Sequence, residues 1–543
     1  MSMPNHQSPP PPCVVFEDDQ ILVVHKPPGW NTHAPAPYAG EGIYEWLKYR
    51  EARWASLAIV HRLDKDTSGL LVFGKTPMAN QSLTQQFTNR TISKRYLLRT
   101  DRPVSRDEFQ VVSTIVRAGE RYVSETKPGF GDHAETRFCI LEKASRWTLL
   151  EAQPITGRTH QIRVHAAAEG IPILGDSLYQ GSGFPRLCLC AAQLDLDHPK
   201  SGRRLHFQVE PGFDQSPAKL RRAALFSLGL AAETTAYREF HGAGDGPETG
   251  LYVDRLGDYC LIQSETPPSI RFDSNSTSGG PDAGVYHKIW TRHVRRTTPA
   301  EAAPRHLSGP VAPERFVVLE NGVRYELSLQ EGYSVGLFLD QRDNRRRFLA
   351  NHIAADFPLF QADPPTSGTI PEVLNTFAYT CGFSVCAALG GARTTSLDLS
   401  RKYLEWGRRN FLLNGLAPDR HEFIYGDCFE WIRRLAKKGR LFDAIILDPP
   451  TFSRSKEHGD FRTESDYGML VTSVLPLLKP DGRLFASTNT ARVAPEDFLM
   501  QVRRAVQASS RRIVQEHYVP QPPDFPVTRE EPAYLKTVWL RIA

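Results

Sequence analysis

Short apolar runs separated by polar turns dominate the first part of the chain, a pattern that predicts strands. Two such runs are residues 57–60 (Leu-Ala-Ile-Val) and residues 70–73 (Leu-Leu-Val-Phe). The polar run between them, residues 61–69, reads His-Arg-Leu-Asp-Lys-Asp-Thr-Ser-Gly. This order predicts a strand, a glycine-closed turn and a second strand. We expect the turn to lift Asp64 out of a sheet into a cleft.

The last third of the chain shows strands that alternate with helices. Residues 373–377, 394–398 and 442–448 have the pattern of buried strands, whereas 384–389 and 401–414 are helix-like. This succession predicts a parallel sheet wrapped by helices. Ligands of such sheets bind at the carboxyl ends of the strands.

Acidic residues follow several of these strands. Asp398 ends one strand, Asp427 follows another, and Asp448 opens an Asp-Pro-Pro turn. An acid at such a position commonly binds ribose hydroxyls, as we expect of Asp398, whereas Asp427 could bind an adenine amino group. Each acid alone could instead be a helix N-cap. The absence of a full Gly-x-Gly-x-x-Gly in residues 378–382 disfavours a dinucleotide site.

A chain of 543 residues is too long for one core, so we expect two to four domains. Its 40% hydrophobic and 23% charged residues are typical of a soluble globular protein. No segment has the character of a membrane span or a signal peptide, so we expect a cytoplasmic protein without a membrane partner. A polar, proline-rich opening predicts a disordered tail at 1–13, and a shift in composition near residues 210–213 ends a domain at 14–215. We expect a linker with a small α+β domain at 216–330 and a last domain at 331–543.

Three segments of the middle region predict local structure. Residues 218–233 are helix-like, 241–246 form a glycine-rich turn, and 266–284 have the composition of a loop. The basic runs 341–347 and 433–440 could contact phosphates, although each is more often a solvated helix face.

Net charge and cysteine content limit the possible partners and kinds of site. Lys plus Arg number 66 and Asp plus Glu 61, so the net charge of +5 says little about partners. The eight cysteines include no Cys-x-x-Cys pair, which argues against a zinc site or a disulfide framework. We expect a reducing compartment and no metal.

An ionised, positioned Asp64 would suit nucleophilic attack on a sugar carbon, and the neighbouring Arg62 could keep it ionised. For an isolated turn, an ordinary salt-bridged hairpin is the more common explanation. Here the run 61–69 resembles the catalytic motif of RluA-type pseudouridine synthases. Further blocks resemble the same family in the same order, over roughly residues 14–215: residues 21–29, 94–96, 154–165 and 170–176.

This resemblance implies a mixed-sheet α+β domain and a role for each matching residue. Asp64 would be the catalytic carboxylate, and Tyr96 would stack on the target uracil near C5. Arg163 would pair with Asp64 and keep it charged, while Arg62 would help replace the flipped base and steer phosphate. No cofactor is implied. Where family members often carry a histidine, this chain has Cys190.

The second half, roughly residues 220–543, resembles RlmI/RlmK-type class I S-adenosylmethionine (SAM)-dependent methyltransferases of ribosomal RNA. The resemblance is carried by residues 331–342, 375–382, 389–393, 400–406, 410–415 and 448–456. It implies a small α+β RNA-binding domain at 216–330, followed by a doubly wound, Rossmann-like α/β domain with SAM as cofactor. The implied cofactor-binding residues are Phe338, Asp340, Arg342, Asn375, Phe377, Tyr379, Gly382, Asp398, Asp427 and Asp448, and the implied base-binding residues are Pro449, Pro450 and Phe452.

The methyl acceptor stays open between three kinds of atom. Cytosine C5 needs a cysteine nucleophile, but neither the Asp-Pro-Pro turn nor the strand-like run 482–490 contains one. Guanine N7 needs only positioning and a favourable field, and residues 448–456 resemble the branch that forms 7-methylguanine. We therefore favour guanine N7, then an exocyclic amine. Residues 524–527 and 534–536, however, look more like the 5-methylcytosine branch.

These observations predict a bifunctional RNA-modifying enzyme that acts on ribosomal RNA, with tRNA as an alternative substrate. Two other functions are compatible with the sequence. One half could be catalytic while the other serves as an RNA-binding platform, or the whole chain could be a non-enzymatic ribosome assembly factor. The oligomeric state is not indicated.

Overall fold

The fold is described from a computed structural model, for residues 11–125, 131–228, 232–266, 283–289, 302–331, 334–360, 370–455 and 459–543. Most of the predicted disordered tail, residues 1–10, lies outside this part. Residues 11–13 do not belong to a disordered tail, because Cys13 is buried and its N–H donates to the Ala224 carbonyl at 3.1 Å.

The amino-terminal part is built on one mixed sheet. Its strands are β1 (Val14–Glu17), β2 (Ile21–Lys26), β3 (Ala58–Ile59), β4 (Ser68–Gly74), β5 (Ser93–Thr100), β6 (Glu108–Ala118), β7 (Arg121–Glu125), β8 (Asp132–Lys143), β9 (Thr148–Pro154), β10 (Leu189–Asp197) and β11 (Arg204–Gln208). They lie in the order β1-β2-β4-β10-β5-β9-β8-β6-β7, with β3 beside β4 and β11 beside β10. The helices are α1 (Ile43–Arg50), α2 (Pro77–Thr88) and α3 (Gln161–Ala168).

The predicted strand–turn–strand unit is present. Strand β3 pairs antiparallel with β4, with Ala58 opposite Gly74 and Ile59 opposite Phe73. Strand β4 is buried along its whole length, because β2 and β10 flank it on either side. The loop that carries Asp64 therefore leaves the middle of a rigid sheet, which fixes its position.

The middle part contains a second sheet and a separate hairpin. Helix α4 (Pro217–Leu225) precedes β12 (Ala236–His241), the short helix α5 (Gly242–Asp245), β13 (Tyr252–Leu256), β14 (Tyr259–Ser264), β15 (Gly284–Ile289) and β16 (Arg305–Ser308). The sheet order is β12 to β16 in sequence, and β17 (Phe316–Glu320) pairs with β18 (Val323–Leu327).

Two sequence expectations for this part need correction. Helix α4 ends at Leu225 rather than at residue 233, and Phe226 packs its ring on Tyr237, with ring centroids 4.9 Å apart. The expected turn at 241–246 is the short helix α5. Most of the expected loop 266–284 lies outside the described residues.

The carboxyl-terminal part has the predicted α/β organisation. Its strands are β19 (Glu372–Thr376), β20 (Arg393–Asp398), β21 (Glu422–Tyr425), β22 (Phe442–Leu447), the hairpin β23 (Phe452–Ser455) and β24 (Gly459–Arg462), β25 (Leu478–Thr488), β26 (Ile513–Val519) and β27 (Lys536–Ile542). The main sheet has the order β21-β20-β19-β22-β25-β27-β26, in which the first five strands are parallel. Its helices are α6 (Arg342–Ala350), α7 (Gly382–Leu389), α8 (Arg401–Leu413), α9 (Cys428–Lys437), α10 (Thr463–Val474) and α11 (Pro495–Ala508).

The first and last parts touch directly. Helix α1 packs against α6, where Arg346 donates to Glu51 at 2.5 Å. Tyr49 of α1 also contacts His517 of β26, with ring centroids 4.3 Å apart.

This packing contradicts both interpretations of residues 341–347, contact with phosphates and a solvated helix face. The arginines of this run are buried, and three of them pair with carboxylates far away in sequence: Arg342 with Asp524, Arg345 with Glu320, and Arg346 with Glu51. The run 433–440 lies at the end of α9 and in the turn after it, and most of its side chains are exposed. This agrees with the interpretation of the run as a solvated helix face. Within the described residues, no helix is long and apolar enough to cross a membrane.

Candidate active sites

The first candidate site is an open cavity of about 660 Å³ beside the β3–β4 loop. Strand β5 and the amino-terminal end of α3 form its other walls. All four residues that the sequence singled out in this half line it: Arg62, Asp64, Tyr96 and Arg163. They come from three segments spread over about 100 residues of the chain, which only the fold brings together.

Arg163 contacts two carboxylates. Its Nε and Nη2 donate to Asp176 at 2.7 and 2.8 Å, whereas its Nη1 lies 3.8 Å from Asp64 Oδ2. Burial opposes the guanidinium charge, but the hydrogen bonds and charge of Asp176 raise the pKa of Arg163 above its usual value. Asp176 thus holds a permanent cation 3.8 Å from the Asp64 carboxylate.

Tyr96 lies on β5 and faces the same cavity. Burial, and next the negative charge of Asp64, raise the pKa of its phenol, so Tyr96 stays protonated at neutral pH. Its ring can therefore meet a flat base as an uncharged surface.

His160 was missed as a site residue, although it lies within the sequence run that carries the resemblance. It has a left-handed φ of 57°, and its Nε2 is 3.9 Å from Asp64 Oδ2. Nδ1 lies 2.9 Å from the Tyr179 hydroxyl. Burial lowers the pKa of His160, which makes the ring neutral at pH 7.

A buried lysine supports the loop that carries Asp64. Lys26 Nζ donates to the carbonyls of Pro27, Trp30 and Lys65 at 3.0, 2.7 and 2.9 Å. Burial lowers the pKa of Lys26 to about 7. The hydrogen bond to Lys65 connects β2 to the residue directly after Asp64, so Lys26 positions that residue.

Exposed cations stand at the cavity mouth. Arg62, Arg90 and Arg158 are exposed and line the rim, where they can meet phosphates. Cys190, the departure from the family pattern, is buried on β10, and burial raises the pKa of its thiol to about 11. It is not among the residues that line this cavity.

The second candidate site is a cavity of about 450 Å³ at the carboxyl ends of the parallel strands. The predicted residues that line it are Phe338, Asp340, Phe377, Tyr379, Asp398, Asp448, Pro449 and Pro450. Residues that the sequence did not single out also line it, notably Gln341, Leu399, Tyr403, Asn489 and Leu535. Gln341 and Tyr403 lie in runs that carry the resemblance, 331–342 and 400–406, so the sequence held a signal for both.

Asp398 marks one end of this cavity. Its carboxylate accepts the backbone N–H groups of Tyr379 and Ser400, each at 2.8 Å. Burial desolvates the Asp398 carboxylate and raises its pKa. Hydrogen bonds from further hydroxyl donors would therefore stabilise its charged form. Leu399 and Phe377 supply apolar walls beside it. An apolar slot with one acid at a strand end fits the adenosine part of SAM.

Asp448 marks the other end. Its Oδ1 accepts from the Gln341 amide at 3.2 Å, and the same amide donates to Ser487 at 2.7 Å. Burial, opposed by the hydrogen bond from Ser487 and assisted by the charge of Asp340, raises the pKa of Asp448 to about 6. Tyr534 donates to Asp340 Oδ2 at 3.0 Å, so two carboxylates face this end.

Four predicted cofactor-binding residues do not line the cavity. Arg342 pairs with Asp524 in the core, and Asn375 donates to Ser384 Oγ at 2.9 Å. Gly382 is the first residue of α7, behind the loop. Asp427 caps α9 by accepting the Glu430 N–H at 3.0 Å, which is the simpler role that its sequence position allowed.

Two residues bear on the methyl acceptor. The side chain of Phe452 lies outside the described part of the chain, although its backbone forms the start of β23. Cys428 lines the cavity, but burial raises the pKa of its thiol well above the usual value, which disfavours the thiolate that a nucleophile needs.

Family comparisons match both halves. Residues 20–168 match the RNA pseudouridylate synthase family, and residues 283–541 match the S-adenosylmethionine-dependent methyltransferase family. A ribosomal RNA large subunit methyltransferase of Deinococcus radiodurans is 33% identical over 334 residues, 60% of this chain and 77% of the relative. Ribosomal large subunit pseudouridine synthase C of Yersinia pestis is 38% identical over 218 residues, 36% of this chain and 65% of the relative.

A solved structure agrees with the second assignment. The structure of SMU.776 complexed with SAH is 28% identical, with a TM-score of 0.50, over 63% of this chain and 86% of that one. The chain is thus an enzyme that uses SAM, and it belongs to the S-adenosylmethionine-dependent methyltransferases, with an RNA pseudouridylate synthase domain at its amino-terminal end.

Proposed function

We propose that the chain isomerises a uridine to pseudouridine and methylates guanine N7 in ribosomal RNA. The observation that carries the proposal is the presence of two separate cavities. One holds Asp64, Tyr96 and Arg163, and the other holds Asp398 and Asp448 at opposite ends. The names of the relatives quoted above favour the large-subunit RNA as substrate. The expected cytoplasmic location stays a prediction.

In the first cavity, Asp64 is the group placed to act on the sugar. The bond from C1′ to N1 breaks, the uracil turns, and C1′ rejoins the base through C5, which then loses its proton. Arg163 places its positive charge 3.8 Å from Asp64, and Asp176 fixes Arg163. Tyr96 offers a ring to the flipped uracil, and Arg62 at the rim meets the backbone.

In the second cavity, SAM supplies an electrophilic methyl group when it is bound. Asp398 takes the ribose hydroxyls at one end, and the acceptor base reaches the methyl group from the end near Asp448. Guanine N7 carries a lone pair and no proton, so its methylation leaves a positive charge on the base. The carboxylates of Asp340 and Asp448 stabilise that charge without removing a proton.

An exocyclic amine is the second candidate acceptor, and a specific observation favours it. An amine loses a proton on methylation, and Asp448, whose pKa is about 6, is a carboxylate suited to accept one at neutral pH. Cytosine C5 has less support, because burial raises the pKa of the Cys428 thiol.

The test is the modification pattern of cellular RNA. Pseudouridines and methylated bases are mapped in cells that lack the gene and in cells complemented with the wild type, Asp64→Asn or Asp398→Ala. We expect Asp64→Asn to lose one or more pseudouridines only, and Asp398→Ala to lose 7-methylguanine only. Loss of an N2- or N6-methylated base instead would favour the exocyclic amine. An unchanged pattern in deleted cells would contradict both activities and favour an assembly role.

A further inference from the structure

We propose that Phe338 and Asp340 bind the acceptor base and select guanine, rather than binding SAM. This inference rests on the proposed base methylation and names the residues that recognise its substrate. It reassigns two residues whose sequence motif implied a cofactor role.

The order of the strands divides the cavity. Strand ends follow one another across the sheet as Gly426 after β21, Asp398 on β20, Phe377 after β19, Asp448 after β22 and Asn489 after β25. Neighbouring strands are about 4.8 Å apart, so the β20 and β25 ends are separated by roughly 14 Å. SAM with its ribose at Asp398 therefore leaves the β22–β25 end for the base.

Asp340 lies at that second end. Its Oδ2 accepts from Tyr534, which lies two residues before the start of β27, the neighbour of β25. The next residue, Gln341, donates to both Asp448 and Ser487. Asp340 is thus tied to the β22–β25–β27 side of the sheet and not to the Asp398 side.

Phe338 supplies a flat apolar surface in the cavity wall, two residues before Asp340. Its side chain is 47% exposed, which is unusual for phenylalanine, and its ring lies 5.3 Å from the Tyr379 ring. Arg345 donates to the Phe338 carbonyl at 2.7 Å and fixes the backbone. An exposed, fixed ring beside a reaction cavity is suited to stack on an unstacked base.

The polar groups near Asp340 favour guanine. A carboxylate accepts two parallel hydrogen bonds, and guanine alone among the four bases presents two adjacent N–H donors, at N1 and N2, on one edge. Burial raises the pKa of Asp340, and the charge of Asp254 adds to this effect, whereas the hydrogen bond from Tyr534 and the charges of Arg345 and Arg238 oppose it. Tyr534 and the two arginines thus favour the carboxylate form, in which Asp340 accepts hydrogen bonds from a base.

The experiment separates cofactor binding from base binding in the full-length chain. Calorimetry with SAH measures the first, and transfer of labelled methyl from SAM to unmodified transcribed large-subunit RNA measures the second. For Asp340→Asn and Phe338→Leu we expect SAH affinity within twofold of wild type and kcat/KM for RNA at least tenfold lower. Phe338→Tyr, which keeps the ring, should restore most of the rate.

Leu399→Ala is the matched control at the other end. Leu399 is also apolar, 43% exposed and part of the same cavity wall, but it follows Asp398. We expect this variant to weaken SAH binding but to change kcat/KM for RNA little at saturating SAM. If Asp340→Asn and Phe338→Leu lose SAH affinity as Leu399→Ala does, or keep full transfer, the assignment to the base is overturned.

A second measurement does not need the natural RNA. With SAH bound, calorimetry compares guanosine and adenosine 5′-monophosphates, and we expect wild type to prefer the guanosine nucleotide at least fivefold. Asp340→Asn should lose that preference, and equal binding of the two nucleotides by wild type overturns guanine selection. A chain that prefers guanosine nucleotide yet transfers no methyl to ribosomal RNA would contradict the proposed function alone.

Discussion

Arg342 and Asp524 form an ion pair in which both partners are almost completely buried, at 2% and 0% exposure. Arg342 Nη1 donates to Asp524 Oδ2 at 2.9 Å, and a second guanidinium nitrogen donates to the other oxygen. Asp524 also accepts the Arg238 N–H at 3.0 Å, and its carbonyl accepts from Arg222 at 2.8 Å. One carboxylate thus joins the middle part of the chain to α6.

Removal of this carboxylate should destabilise the carboxyl-terminal part. Asp524→Asn removes the hydrogen-bonded counter-ion of the buried Arg342 and leaves it, among the described residues, only Asp343 at 3.7 Å, and breaking such a buried pair costs about 3–5 kcal/mol. Calorimetric unfolding should show a lower transition for that part. The control is Glu516→Gln, which breaks the exposed pair of Glu516 with Arg503 and should cost less than about 1 kcal/mol. Equal effects of both variants would contradict this account.

The same ion pair shows where sequence reasoning failed. Arg342 lies in a run of cations, and nothing local reveals that its partner is 182 residues away. The sequence could predict strands, helices and acids at strand ends, because these depend on local periodicity. It could not predict which charges would be desolvated, since burial depends on how α1 and α6 pack.

The catalytic loop shows the opposite case. The apolar runs before and after Asp64 predict β3 and β4, and their pairing is present in the structure. His160 escaped prediction because its place beside Asp64 depends on a left-handed residue at the start of α3. Asp427 shows a third case. Its position after a strand was compatible with adenine binding and with a helix N-cap, and in the structure it is a helix N-cap.

Cofactor affinity should distinguish Asp398 from Asp427. We expect Asp398→Ala to weaken SAH binding by about 1–3 kcal/mol, because buried hydroxyl donors of the ligand lose their acceptor. Asp427→Ala should instead lower stability by about 0.5–2 kcal/mol through loss of the α9 cap. Calorimetric titration and thermal unfolding of both variants test this. A larger loss of SAH affinity in Asp427→Ala would return Asp427 to the adenine site.

Methyl transfer should decline as pH falls through about 6. Burial raises the pKa of Asp448 to that value, so Asp448 gains a proton in this range and can no longer stabilise positive charge or accept a proton. Asp448→Asn should be slow but independent of pH between about 5 and 7. A wild-type profile that is flat through pH 6 would remove Asp448 from the chemistry.

Protonation of Asp448 does not unfold the chain, so unfolding does not explain this decline in methyl transfer. The pKa of Asp448 is higher in the folded chain than in an unfolded one, so protonation favours the folded state. The contribution of Asp448 to stability is unfavourable at pH 7, and it becomes less so as pH falls from about 6 toward about 4. A pH profile of thermal unfolding, compared between wild type and Asp448→Asn, checks this sign.

Asp64 and Asp66 provide a matched test of the pseudouridine site. They lie two residues apart in one loop, but only Asp64 lines the cavity, whereas the exposed Asp66 faces the opposite side near Arg221. Asp64→Asn keeps the shape and removes the charge, so pseudouridine formation should vanish while RNA binding and methyl transfer persist. Asp66→Asn should keep more than about a third of the wild-type rate, since surface changes of this kind alter free energies by about 0.5 kcal/mol. Release of tritium from uridine labelled at C5 measures the reaction directly, because the C5 proton leaves only when the new bond has formed. Turnover by Asp64→Asn at the wild-type rate would show that the carboxylate beside Arg163 is structural and that another group attacks the sugar.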